Sequence, residues 1–127
     1  DIAILAVGSM MENALKVREL LKEQGKNVTL VNVRFIKPID EEMLEEICGR
    51  FSEIVTIEDG SIVGGLYGSV AEYVSCHHKG VYVTPIAIPD RYLSQGTQDE
   101  LRDECGLTTA RIRELLEEKM KKISKKD

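Results

Sequence analysis

Residues 2–7 (IAILAV) form an unbroken apolar run closed by Gly8, the pattern of a parallel strand buried on both faces. The period then changes. Met10, Ala14, Val17 and Leu21 recur at helical spacing, which predicts a helix from about residue 10 to 24, with Ser9 and Glu12 spaced as a capping box and Gly25 as its stop. Val28 to Arg34 (VTLVNVR) is rich in β-branched residues and predicts a second strand. From Asp40, Met43, Leu44, Ile47, Cys48 and Phe51 fall on one helical face. Asp40 suits the N-cap, and Glu41 and Glu42 suit the positive end of the helix dipole, so this acidic run marks a helix start.

Ile54 to Ile57 predicts a third strand. It runs through Glu58-Asp59-Gly60 into the glycine-rich Gly64-Gly65-Leu66-Tyr67-Gly68-Ser69, after which Val70, Ala71 and Val74 begin a helix that Gly80 ends. Val81 to Ile88 reads as a fourth strand, and Pro85 places it at an edge or a bulge because proline cannot donate to a ladder. Two helices close the chain. Thr97 with Glu100 caps the shorter, which Gly106 ends, and Thr108 opens the last, whose Ile112, Leu115, Leu116, Met120 and Ile123 make an apolar stripe. Strands alternating with helices over short connections predict a three-layer α/β/α domain around a mainly parallel sheet of four strands, ordered 2-1-3-4.

Composition narrows the function classes. The chain has 127 residues and a net charge of -5, so it is long enough for one domain with its own core, and no apolar run approaches a membrane span. A pI of 5.1 and the absence of tryptophan speak against a nucleic-acid partner, and the one basic cluster, Lys119 to Lys126, reads as a solvated helix tail. Cys48, Cys76 and Cys105 are far apart and form no CxxC pair, which predicts neither disulfides nor zinc and fits a reducing, cytoplasmic setting.

In such a sheet, ligands and partners meet the loops beyond the carboxyl ends of the strands. GGLYGS before a helix offers bare N–H groups for an anion, but it matches neither nucleotide-binding glycine pattern, and its simpler reading is close packing of the helix on its neighbours. Arg34 and Lys37 end the second strand and Glu58 and Asp59 the third; these charges are expected to pair with one another or with another domain, and a phosphate or carboxylate pocket is the alternative. Glu72, Cys76, His77 and His78 offer metal-binding side chains, but only Glu72 and Cys76 share a helix face, and the histidines suit a helix C-terminus. No nucleophile elbow, triad or separate carboxylate pair is present, so no catalytic centre is expected.

VRFIKPID (33–40), VTIEDG (55–60) and GGLYGS (64–69), with IAILAVGSM at the start, IPDRYLSQG (88–96) and ECGLTTARI (104–112), resemble in order and spacing the C-terminal domain of the transketolase-like thiamine diphosphate enzymes, in particular the 1-deoxy-D-xylulose-5-phosphate synthases. The resemblance covers the chain to about Glu118. It implies one domain, residues 1–127, excised from a longer three-domain enzyme, normally a homodimer, that joins pyruvate to glyceraldehyde 3-phosphate with loss of carbon dioxide. It further implies that the upstream domains hold thiamine diphosphate and Mg2+, that this domain has no catalytic, cofactor-binding or metal-binding residue, and that it serves assembly. Arg34, Lys37, Glu58, Gly64, Gly65, Gly68 and Ser69 would then face the upstream domains or the second subunit. The glycine turn departs from the family pattern by one extra residue between Gly65 and Gly68, and Gln95 replaces the usual histidine. The same domain of a transketolase or of a 2-oxoacid dehydrogenase β subunit, and a free-standing flavodoxin-like module, are the alternatives.

Overall fold

The computed structural model describes residues 2–7, 10–33, 39–59, 65–88 and 109–121. Its strands and helices alternate as β1 (Ile2–Val7), α1 (Met11–Glu23), β2 (Val28–Val33), α2 (Glu41–Arg50), β3 (Glu53–Asp59), α3 (Leu66–His77) and β4 (Tyr82–Ile88). A further helix, α4, runs over residues 109–121. The four strands form one parallel sheet in the order β2-β1-β3-β4, as the sequence pattern predicts. Pro85 lies in β4 opposite Thr56, and β4 stands at the edge of this sheet, where a missing N–H donor is tolerated.

Strand side chains alternate between the faces, so β1, apolar throughout, supplies both cores. Ile2, Ile4 and Ala6 join Val55 and Ile57 beneath α1 and α4, where Met10, Ala14, Val17, Leu21, Ile112 and Leu116 are buried. Ala3 and Leu5 join Ile54 on the other face, under Leu44, Ile47 and Cys48 of α2 and Leu66, Val70 and Val74 of α3. That is the three-layer arrangement. Each such Ile or Leu contributes roughly 1.5–3 kcal/mol by leaving water, so the layers are set by apolar periodicity.

Polar groups then fix how the layers register. Asn13, 3% exposed on the apolar face of α1, donates from Nδ2 to Thr109 Oγ1 of α4 at 3.2 Å. Glu53, at the start of β3, ion-pairs through Oε2 with Lys119 Nζ of α4 at 3.2 Å without a well-directed hydrogen bond. The start and the later part of α4 thus meet polar partners on different elements.

Helix ends follow the predicted chemistry in part. Met43 N–H donates to Asp40 Oδ1 at 3.0 Å, the expected N-cap of α2. Gly25 has φ 77°, and Gly25 N–H to Lys22 O with Lys26 N–H to Leu21 O completes a Schellman end for α1. The start of α1 differs from expectation: Met10 is its N-cap and no side chain caps it, while Ser9 lies outside the described residues. β3 is longer than the predicted 54–57 because parallel pairing of Glu53–Asp59 with Tyr82–Ile88 carries polar residues into the strand at both ends. At the far end of α3 the last helical residue is His77 and Gly80 stands in a turn, without the positive φ of a C-terminal stop. The predicted helix between Thr97 and Gly106, Cys105 and Ile123 lie outside the described residues.

Candidate functional site

The carboxyl end of β3 leads to the amino end of α3, and Glu58 joins the two. Its carboxylate is 3% exposed and accepts Leu66 N–H at 3.0 Å and Tyr67 N–H at 3.4 Å, one on each oxygen. The first N–H groups of a helix have no partner within the helix and carry the positive end of its dipole. Glu58 meets both needs from another element. The helix therefore starts at Leu66, four residues before the predicted Val70, with Gly65 as an N-cap that lends no side chain. Ser69 Oγ donates to Gly65 O at 3.1 Å, which ties the first turn back to that cap.

This geometry decides between readings of the glycine stretch. Two of the N–H groups that could cradle an external phosphate, those of Leu66 and Tyr67, are engaged by the protein's own carboxylate, which speaks against a diphosphate group at this helix start. Close packing against the described residues does not explain Gly68 either: among them a Cβ built there meets nothing within 4 Å, and its φ is not positive. Gly68 and Ser69 belong to the first turn of α3, and among the described residues there is room for a side chain at Gly68.

Of the other predicted site residues, Arg34, Lys37 and Gly64 lie outside the described residues, as does Gln95. Glu58 spends both oxygens on backbone N–H groups. His77 ends α3 and His78 is its C-cap, where the last turn of a helix favours positive charge. Cys76 is exposed and Cys48 buried, and burial followed by the charge of Glu45 pushes the Cys48 thiol up, which keeps it protonated and inert. Among the described residues, no three His, Cys, Asp or Glu side chains converge to hold a metal ion. An apolar groove of about 480 Å³ runs between α1 and α4 past Leu15, Leu20 and Ala110, and none of the predicted site residues lines it.

Sequence reasoning missed the role of Glu58 because a local capping box spans three residues, whereas Glu58 stands eight residues before the N–H it caps. A glutamate closing a strand just ahead of a glycine-rich helix start was the available signal.

Residues 1–112 match the family model described as the C-terminal domain of transketolase. The chain is 41% identical over 114 residues to a 1-deoxy-D-xylulose-5-phosphate synthase of Dictyoglomus thermophilum, covering 90% of this chain and 18% of that protein. It is 37% identical over 119 residues to the synthase of Synechococcus elongatus, covering 94% and 19%, and 43% identical over 109 residues to that of Escherichia coli, covering 86% and 17%. A solved structure described as a split gene transketolase, inactive beta4 tetramer, has a TM-score of 0.64 and 33% identity, covering 71% of this chain and 30% of that one. The chain spans less than a fifth of the length of these curated relatives.

Proposed function

The chain belongs to the transketolase C-terminal domain family, and from that membership we propose that it is the assembly domain of a thiamine diphosphate-dependent synthase. The parent enzyme condenses pyruvate with D-glyceraldehyde 3-phosphate to 1-deoxy-D-xylulose 5-phosphate and carbon dioxide, in the cytoplasm, as a homodimer. Its upstream domains hold thiamine diphosphate and Mg2+; the cofactor supplies the carbon–carbon bond chemistry, and this domain supplies contact. The observation that carries the reading is the Glu58 cap. A helix start at the binding rim with two of its N–H groups engaged internally is preorganised as a surface and disfavours a phosphate ligand.

The surface we propose centres on the first turn of α3, with Gly65, Gly68 and Ser69 beside Glu58; Arg34, Lys37 and Gly64 are assigned to it from the sequence alone. The room at Gly68 among the described residues supports it, since a missing side chain admits close approach of another backbone. Gly68→Ala therefore separates folding from assembly. Among the described residues the alanine meets no neighbour, and its helix propensity should raise stability by about 0.5–1 kcal/mol. In the full-length enzyme the same methyl should loosen the dimer and lower turnover in step. A more stable enzyme with unchanged dimer dissociation and turnover would remove Gly68 from the interface, and an equally silent Arg34→Ala would sink the assembly reading. Calorimetry adds a second check: thiamine diphosphate with Mg2+ should bind the full-length enzyme and leave this chain untouched.

The split gene relative favours a second reading, in which the partner domains lie on a separate chain of a transketolase. Adding the candidate partner chain and measuring whether turnover needs pyruvate or a ketose donor distinguishes the two.

A further inference from the structure

The sheet ends on β4 at one side and on β2 at the other, and the two edges differ in backbone chemistry. In a parallel ladder each residue turns its N–H and C=O toward one neighbouring strand, and the next residue turns them the other way. Tyr82 N–H donates to Ser52 O at 2.9 Å, so Tyr82 faces the β3 side. By alternation Thr84 and Ile86 face β3 as well, and Val83, Pro85 and Ala87 present their backbone to the outer edge. Pro85 therefore removes an N–H from the middle of the outward row, while the ladder with β3 loses no donor. We propose that Pro85 closes the β4 edge to strand addition, and that the partner it excludes is a second copy of this chain. This stands independently of the assembly reading.

The composition of the strand identifies that partner. Apart from its proline, β4 (YVTPIAI) is an uncharged run of aromatic, β-branched and small residues, and Tyr82 is 61% exposed. Runs of this kind pair with copies of themselves unless something stops them, and the usual stops at an edge are charge and proline. β4 has only the second. β2, at the opposite edge, reads VTLVNV with neither charge nor proline, and among the described residues no strand pairs its outer side. With one open edge, pairing through that edge ends at two copies. With two open edges, β4 of one copy can join β2 of the next, a contact that does not close on itself and propagates into filaments. Pro85 is what separates these outcomes. A strand added at β4 would set one carbonyl against the proline ring with no N–H to receive, and a carbonyl buried without a donor opposes the association.

The test is sedimentation equilibrium of this chain at rising concentration, comparing wild type, Pro85→Val, and Pro85→Val combined with Val83→Pro. Val83 is the preceding outward position, so the double variant takes an N–H from the same edge again. Wild type should reach a pair at most. Pro85→Val should grow beyond a pair, with self-association tightened about ten- to a hundredfold, the change that corresponds to one carbonyl regaining its donor. The double variant should return to the wild-type limit. Pro85→Val sedimenting as wild type does would overturn the proposal, and so would wild type itself growing beyond a pair. Growth in the double variant would credit the side chain at position 85 and defeat the role given to the missing N–H. Should Pro85→Val not fold, Pro85→Ala restores the same donor with a smaller side chain and is read in the same way.

Discussion

The two ends of α3 are held by the same chemical group and behave as opposites. At the amino end the Glu58 carboxylate is buried and receives backbone N–H groups, donors that never titrate. At the carboxyl end the side chain of Glu45 is 55% exposed and meets side-chain groups, the Tyr73 hydroxyl and His78 Nε2. Burial and donor type, rather than the carboxylate itself, decide whether a polar contact is a fixed part of the fold or an adjustable one.

The largest break in that comparison is Glu58→Ala. Two N–H groups at the start of α3, that of Leu66 buried, lose a charged acceptor, and urea unfolding should show a loss of about 2–3 kcal/mol. Glu58→Gln, which keeps an acceptor oxygen, should lose less. Asp40→Ala supplies the middle case: an exposed, local cap on one N–H of α2, whose loss should cost about 1 kcal/mol in the same assay. Glu45→Gln should fall below both at neutral pH, where the pair is exposed to solvent. A larger effect for Glu45 than for Glu58 would invert the assignment of fixed and adjustable ends.

The finest test concerns Tyr73. Its hydroxyl is pushed up to about 12, first by the hydrogen bond to Glu45, then by desolvation and by the nearby negative charges. The folded protein therefore holds this proton more tightly than the unfolded chain does. The resulting stability is present below the ordinary tyrosine value of about 10 and is lost as pH rises through the folded one. Following tyrosinate absorbance through the alkaline range, Glu45→Gln should bring the most resistant tyrosine back toward the ordinary value. An unchanged titration would detach Tyr73 from Glu45.

Much of the fold was legible because it rests on periodicity. The unbroken run of β1, the spacing of Met10, Ala14, Val17 and Leu21, and the Asp40 cap are local patterns, and each stands in the structure as read. Pro85 even indicated the edge of the sheet. The candidate site was legible only as a neighbourhood. Glu58 was marked as a rim charge, but its service as a cap to α3, the room at Gly68 among the described residues, and the union of Glu45 with Tyr73 and His78 depend on elements meeting in space.

The sequence by itself determined which stretches become strands and helices, which face of each is apolar and the order of the sheet, because these follow from side-chain period and short connections along one chain. Tertiary structure alone decided which polar groups meet. Asn13 and Thr109 stand 96 residues apart, and Glu45 and His78 33. A buried polar group must find a partner wherever the packed layers bring one, and no local spacing encodes that choice.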